Sequence, residues 1–119
     1  MTTKELSIEI KSEILKMANK AKSSHVGSAL SIADILAVLY SSILNIDPKD
    51  PKKKDRDIFI MSKGHAGAAL YSILARVGFF EIDLLDSHYQ NGGNLSGHVN
   101  SHLLNGVEVS TGSLGNGLG

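Results

Sequence analysis

Asp57-Ile58-Phe59-Ile60-Met61-Ser62-Lys63-Gly64-His65 is the stretch on which the fold turns. Its four consecutive apolar residues are bounded by charge on one side and by glycine on the other. A run that short suits a buried parallel strand over 58–61 better than a helix. Gly64 permits a sharp turn, after which Ala66, Ala69, Leu70, Ile73, Leu74 and Val77 recur at helical spacing. A helix is therefore predicted over 65–77, with Gly78 where a terminating glycine belongs. Strand, turn and helix with a polar residue at the turn is how open α/β folds place binding groups at the carboxyl ends of strands. One strand cannot make a sheet, so the rest is expected from another chain or from further polypeptide.

Upstream, Thr2 and Glu5 have capping-box spacing, and Ile10, Ile14, Met17 and Ala21 mark one face of a helix over 4–21. A second helix is predicted over 31–45. Ser31 and Asp34 resemble its cap pair, and Ile32, Ile35, Leu36, Leu39 and Ile43 form its stripe. The charged stretch Lys49–Asp57 reads as a solvated connector, and a short helix is plausible near Ile82–Ser87. Thr111 or Ser113 has the chemistry to cap a last helix. Apolar stripes on three helices with one strand to cover predict burial against other protein, in a dimer or larger assembly.

Bulk composition restricts the possibilities. A chain of 119 residues has room for one core, so residues 1–119 read as part of a single domain. Twelve basic residues balance twelve acidic ones, which disfavours a dedicated nucleic-acid or anionic-membrane binder. No stretch approaches the roughly 18 apolar residues of a membrane span, so no membrane partner is expected. Without cysteine there is no disulfide framework and no thiolate metal site, and a reducing, cytoplasmic setting is the simpler expectation.

The chemistry-bearing residues lie in small, uncharged surroundings. His25 stands in Ser-Ser-His-Val-Gly, His65 in Ser-Lys-Gly-His-Ala and His98 in Ser-Gly-His-Val. From Ser87 to Val107 there is no charged residue except histidine, and eight of the twelve glycines lie between Gly92 and Gly119. Small neighbours leave an imidazole reachable and let backbone amides approach a ligand. Each histidine has a plainer reading: cap or packing residue for His65, solvated loop residue for His25 and His98. Together with the ladder Gly112, Gly115, Gly117, Gly119, they point to a polyanionic, hydroxylated ligand. His98 and His102 have HxxxH spacing, but the surrounding glycine and asparagine argue against a helix, and no P-loop motif occurs.

In order along the chain, Ser24-His25-Val-Gly27-Ser, Asp55-Arg-Asp57, Ser62-Lys-Gly-His65, Gly97-His98 and Gly106-Val-Glu-Val-Ser-Thr-Gly-Ser-Leu-Gly115 resemble the amino-terminal cofactor-binding domain of transketolases. The resemblance covers about Leu6 to Gly119 and is nearest to split transketolases, whose amino-terminal subunit is a separate protein. It implies the thiamine diphosphate-binding fold, a parallel sheet flanked by helices, with its helix-rich amino-terminal part present here. It also implies an enzyme that moves a two-carbon ketol unit from a ketose phosphate to an aldose, as in the pentose phosphate pathway.

By that resemblance His65 contacts the cofactor diphosphate and substrate, while His25 and His98 contact hydroxyls of the donor sugar. Gly112, Ser113 and Leu114 hold the cofactor's ring region, and Asp55-Arg-Asp57 is structural. Valine after His25 and after His98 replaces the family's common proline, which loosens both loops. The Mg2+ or Ca2+ ligands are expected beyond residue 119, and the activating glutamate on a carboxy-terminal pyrimidine-binding subunit or domain. The isolated chain is accordingly expected to be inactive. Two other readings stay open: a different thiamine diphosphate enzyme (deoxyxylulose-phosphate synthase-like, or a ketol transferase of a specialised sugar pathway), or a non-catalytic truncated relative acting as an oligomerising module.

Overall fold

Helix α1, Thr3–Ala21, begins at the expected cap: the Glu5 amide donates to Thr2 Oγ1 at 3.1 Å and the Leu6 amide to the Thr2 carbonyl at 3.0 Å. The computed structural model describes residues 2–21, 26–63, 66–87 and 106. Leu6, Ile10, Ile14 and Met17 line the buried face of α1, as the helical period requires.

The apolar stretch that follows differs from the single helix expected over 31–45. It divides into α2, Val26–Leu30, α3, Ala33–Val38, and a π turn, Leu39–Ile43. Serine hydroxyl bonds to backbone carbonyls accompany both breaks. Ser31 Oγ donates to the Ser28 carbonyl at 2.8 Å, and the Ile32 amide turns to Ala29 at 3.4 Å. Ser31 is thus not a cap; Ile32 occupies the N-cap of α3 with no side-chain bond. Further on, the hydroxyls of Ser41 and Ser42 both donate to the Val38 carbonyl, and the Leu44 amide reaches back five residues to Leu39 at 2.8 Å.

These breaks rotate the apolar face. Ala33, Leu36, Ala37 and Tyr40 point inward, while Ile35 and Ile43, expected in the core, are 60% and 62% exposed. By length and composition Val26–Ile43 is apolar enough to cross a membrane, which corrects the expectation that no stretch is. Here it is divided at Ser31–Ile32, and Ala29, Leu36 and Ala37 sit in the core.

Helix α4, Gly67–Val77, starts two residues later than predicted and ends as predicted. Gly78 adopts φ 103°, its amide donating to Ala75 while the Phe79 amide donates to Leu74 at 2.9 Å. α4 packs against α1, α2 and α3, with Leu70, Ile73 and Leu74 buried. A 3₁₀ helix over Ile82–Ser87 follows.

The segment 58–61 forms no strand pairing among the described residues, so the predicted α/β character is visible only through its helices. A strand requires a ladder partner to fix it, and none is present among those residues. Its exposure nevertheless alternates: Phe59 and Met61 face the core, Ile58 and Ile60 face outward. Phe59 packs edge-on against Tyr40 with ring centroids 5.8 Å apart. The run expected to be buried on both sides is therefore covered on one.

Polar ties cross the helical interfaces. Arg76 Nη2 meets Glu13 Oε1 at 2.5 Å, and its Nη1 lies 3.1 Å from Glu9, joining α4 to α1. Between α1 and α3, Ser7 donates to the Asp34 carboxylate and Lys11 Nζ lies 3.1 Å from it. These contacts, the Ser7 bond first, hold the Asp34 carboxyl below its ordinary value of 3.8. A depressed carboxyl contributes stability above its unfolded pKa, and that contribution is lost as pH falls through the folded value.

Two outcomes follow. Ile14→Ala should cost about 2–5 kcal/mol in urea unfolding, whereas Ile35→Ala should stay within about 0.5 kcal/mol; a large loss at Ile35 would restore the discarded face. The thermal-midpoint advantage of the natural chain over Asp34→Asn should be full above pH 3.8 and shrink below it. A pH-independent difference would remove the carboxylate from the interface.

Candidate functional site

His25, His65, His98, Gly112, Ser113 and Leu114 all lie outside the described residues, as does the helix expected from Thr111 or Ser113. What the structure describes is how the segments leading to them are anchored. His25 directly precedes α2 in the chain, and His65 directly precedes Ala66, the N-cap of α4. α2 and α4 are in contact, so the helices that follow the two histidines share an interface.

The segment entering His65 is tied at three points. The Asp57 amide donates to the Asn45 carbonyl at 2.8 Å, and the Asn45 amide donates to Asp57 Oδ2 at 2.6 Å. Asn45 Nδ2 also donates to the Asp55 carbonyl at 2.9 Å. Asp55-Arg-Asp57 therefore fastens the connector to the end of the π turn, a structural role. Lys63 Nζ then donates to Ser31 Oγ at 2.7 Å, and the Ala66 amide closes a turn on the Lys63 carbonyl at 3.0 Å. Sequence reasoning missed Asn45 and Lys63. Their partners lie 12 and 32 residues away, and no local pattern encodes such pairs.

The start of α4 carries no side-chain cap. Ala66 is fully buried and offers no side-chain acceptor, so the first-turn amides have no capping side chain at that position. Gly67, Ala68 and Ala69 add little side-chain bulk to that first turn, and helix starts in general favour anionic groups. A divalent ion finds no counterpart here: no group of three or more His, Asp or Glu converges among the described residues.

Gly106 is the one described residue of the glycine-rich carboxy-terminal motif. It has φ +88°, and a Cβ there would lie 2.9 Å from Leu74 Cδ2 and from two ring atoms of Phe79. Only glycine fits that seat. Gly27, by contrast, is exposed, and a Cβ there would meet nothing within 4 Å.

Residues 4–119 match the family described as transketolase, thiamine diphosphate binding domain, and the chain belongs to that family. It is 43% identical over 103 residues to the 6-deoxy-6-sulfo-D-fructose transketolase subunit of Clostridium sp. strain MSTE9, covering 87% of this chain and 38% of that protein. It is also 43% identical over 101 residues to an apulose-4-phosphate transketolase subunit of Actinobacillus succinogenes, covering 85% and 37%. Transketolase 2 of Escherichia coli K12 is 38% identical over 119 residues, covering 99% of this chain and 18% of its own. The solved transketolase of Leishmania mexicana superposes with a TM-score of 0.86 at 31% identity, covering 94% and 17%. The chain thus spans less than two-fifths of each of these relatives.

The two glycines should respond in opposite ways. Gly106→Ala should destabilise by about 1–3 kcal/mol, through overlap and a left-handed backbone. Gly27→Ala should leave the unfolding midpoint unchanged or raise it, since alanine is the better helix residue. Equal losses in urea titrations would mean that the seat around Gly106 is not the constraint described.

Proposed function

We propose that this chain is the amino-terminal portion of a transketolase, transferring a two-carbon ketol group from a ketose phosphate to an aldose with bound thiamine diphosphate. The observation that carries this reading is the family match over residues 4–119, continuous with relatives named as transketolase subunits. When bound, thiamine diphosphate supplies the electron sink for cleaving and remaking the carbon–carbon bond. The start of α4 and His65 receive the diphosphate. His25 and His98 bind sugar hydroxyls and exchange protons with them, a task suited to a group that titrates near neutral pH. Gly112, Ser113 and Leu114 pack on the cofactor's ring region.

Mg2+ or Ca2+ would neutralise the diphosphate through ligands expected beyond residue 119, and a pyrimidine-binding subunit or domain would complete the site in a homo-oligomeric, cytoplasmic enzyme. The proposed domain is 1–119 as part of one cofactor-binding unit. A specialised sugar donor is the second reading. It is supported by 43% identity to subunits named for 6-deoxy-6-sulfo-D-fructose and apulose 4-phosphate, against 38% for Escherichia coli transketolase 2.

Reconstitution with its partner subunit, cofactor and Mg2+ tests the assignment. His65→Ala should weaken cofactor binding and turnover together. His98→Ala should lower turnover on the order of a hundredfold, as loss of a proton-transfer group does, with cofactor affinity kept. Negligible effects of both would remove the histidines from the site, and absence of ketol transfer by the natural complex would overturn the assignment.

A further inference from the structure

Lys63 is exposed and stands two residues before His65; its ammonium donates to Ser31 Oγ at 2.7 Å. That hydroxyl is itself oriented, because its proton is given to the Ser28 carbonyl at 2.8 Å, leaving its lone pairs to accept from the lysine. Ser28 lies in the first turn of α2, three residues after His25. The relay Lys63 to Ser31 to Ser28 thus spans the two chain segments that carry these histidines. Among the described residues no carboxylate lies within ion-pair distance of the Lys63 ammonium, so Ser31 is its structural tie there.

We propose that Lys63 is a positioning residue: it latches the segment leading to His65 onto the turn that ends α2, fixing the two histidine-bearing segments relative to each other. This rests on the transketolase reading for its catalytic consequence. The latch itself rests on the hydrogen bonds alone. A flexible four-carbon stem lets one side chain bridge segments that the backbone does not join. Small misplacements of reacting groups cost rate heavily, so an exposed hydrogen bond of modest strength can still matter for turnover.

A double-mutant cycle on the reconstituted holoenzyme tests the proposal, with Lys63→Met, Ser31→Ala and the pair. Each single variant should lower kcat about three- to tenfold at saturating cofactor, and the double variant should be no slower than the slower single. Lys63→Arg, which can still donate to Ser31, should restore most of the rate. Multiplying losses would show that the two residues act independently and would overturn the latch. So would a silent Ser31→Ala beside a Lys63→Met that raises only the substrate KM, since Lys63 would then be contacting ligand directly. The same cycle in unfolding midpoints separates this inference from the functional reading. Non-additive shifts in a complex without ketol transfer would keep the latch and sink the activity, whereas additive shifts would sink the latch.

Discussion

Helix α4 is enclosed on nearly every side, and the rest of the described chain is arranged by the need to cover it. Gly67 and every residue from Ala69 to Ala75 are buried, so no face is left for solvent. A helix with that pattern can exist only inside a shell, which α1, α2, α3 and the 3₁₀ helix supply. Ser72, in its middle, is fully buried and its hydroxyl bonds inward, to the Ala68 carbonyl at 2.7 Å and towards the Met17 sulfur at 3.4 Å. Only the two ends of α4 carry other duties. Its start follows His65, and its glycine-capped end, with Phe79, forms the seat of Gly106. Two motif segments are thereby referred to one rigid rod about 16 Å long.

Arg76 sets how that rod lies against α1. Its guanidinium reaches Glu13, whose side chain is only 9% exposed, and approaches Glu9 one turn earlier. Half-buried charge of this kind adds little net stability when intact but is costly when one partner is lost. Its main effect is to disfavour a sliding register between two helices whose apolar stripes alone would tolerate displacement by a turn.

Much of this was legible from residues close together in sequence. Thr2 with Glu5, the 10/14/17 spacing and Gly78 specify the ends and face of α1 and the end of α4 because each acts within one turn of helix. The division of 26–43 was not legible, because serines that bond back to a carbonyl also occur inside unbroken helices, as Ser72 does in α4, and composition does not reveal where such a bond accompanies a break. Segment 58–61 misled for a different reason. Its apolar run encodes two faces, but only Phe59 and Met61 find cover among the described residues. For the candidate site the position is reversed: the histidine and glycine motifs were plain in the sequence, whereas the Asn45 clamp and the Lys63 tie had no local signature.

Ser31 joins these two kinds of information. Its hydroxyl bonds to the Ser28 carbonyl at the point where α2 ends, and there the Ile32 amide turns to Ala29 instead of Ser28. The same hydroxyl bond turns its lone pairs towards Lys63. An uninterrupted helix through 26–43 would have the Ile32 amide on the Ser28 carbonyl, the oxygen that also accepts the bond orienting the lysine's acceptor. The irregularity that defeats a sequence-based helix assignment thus lies at the same residue as the cross-segment tie. The break is better understood as a joint, with α2 held to the His65 side by Lys63 and to α4 by packing, than as a weak point in an apolar helix.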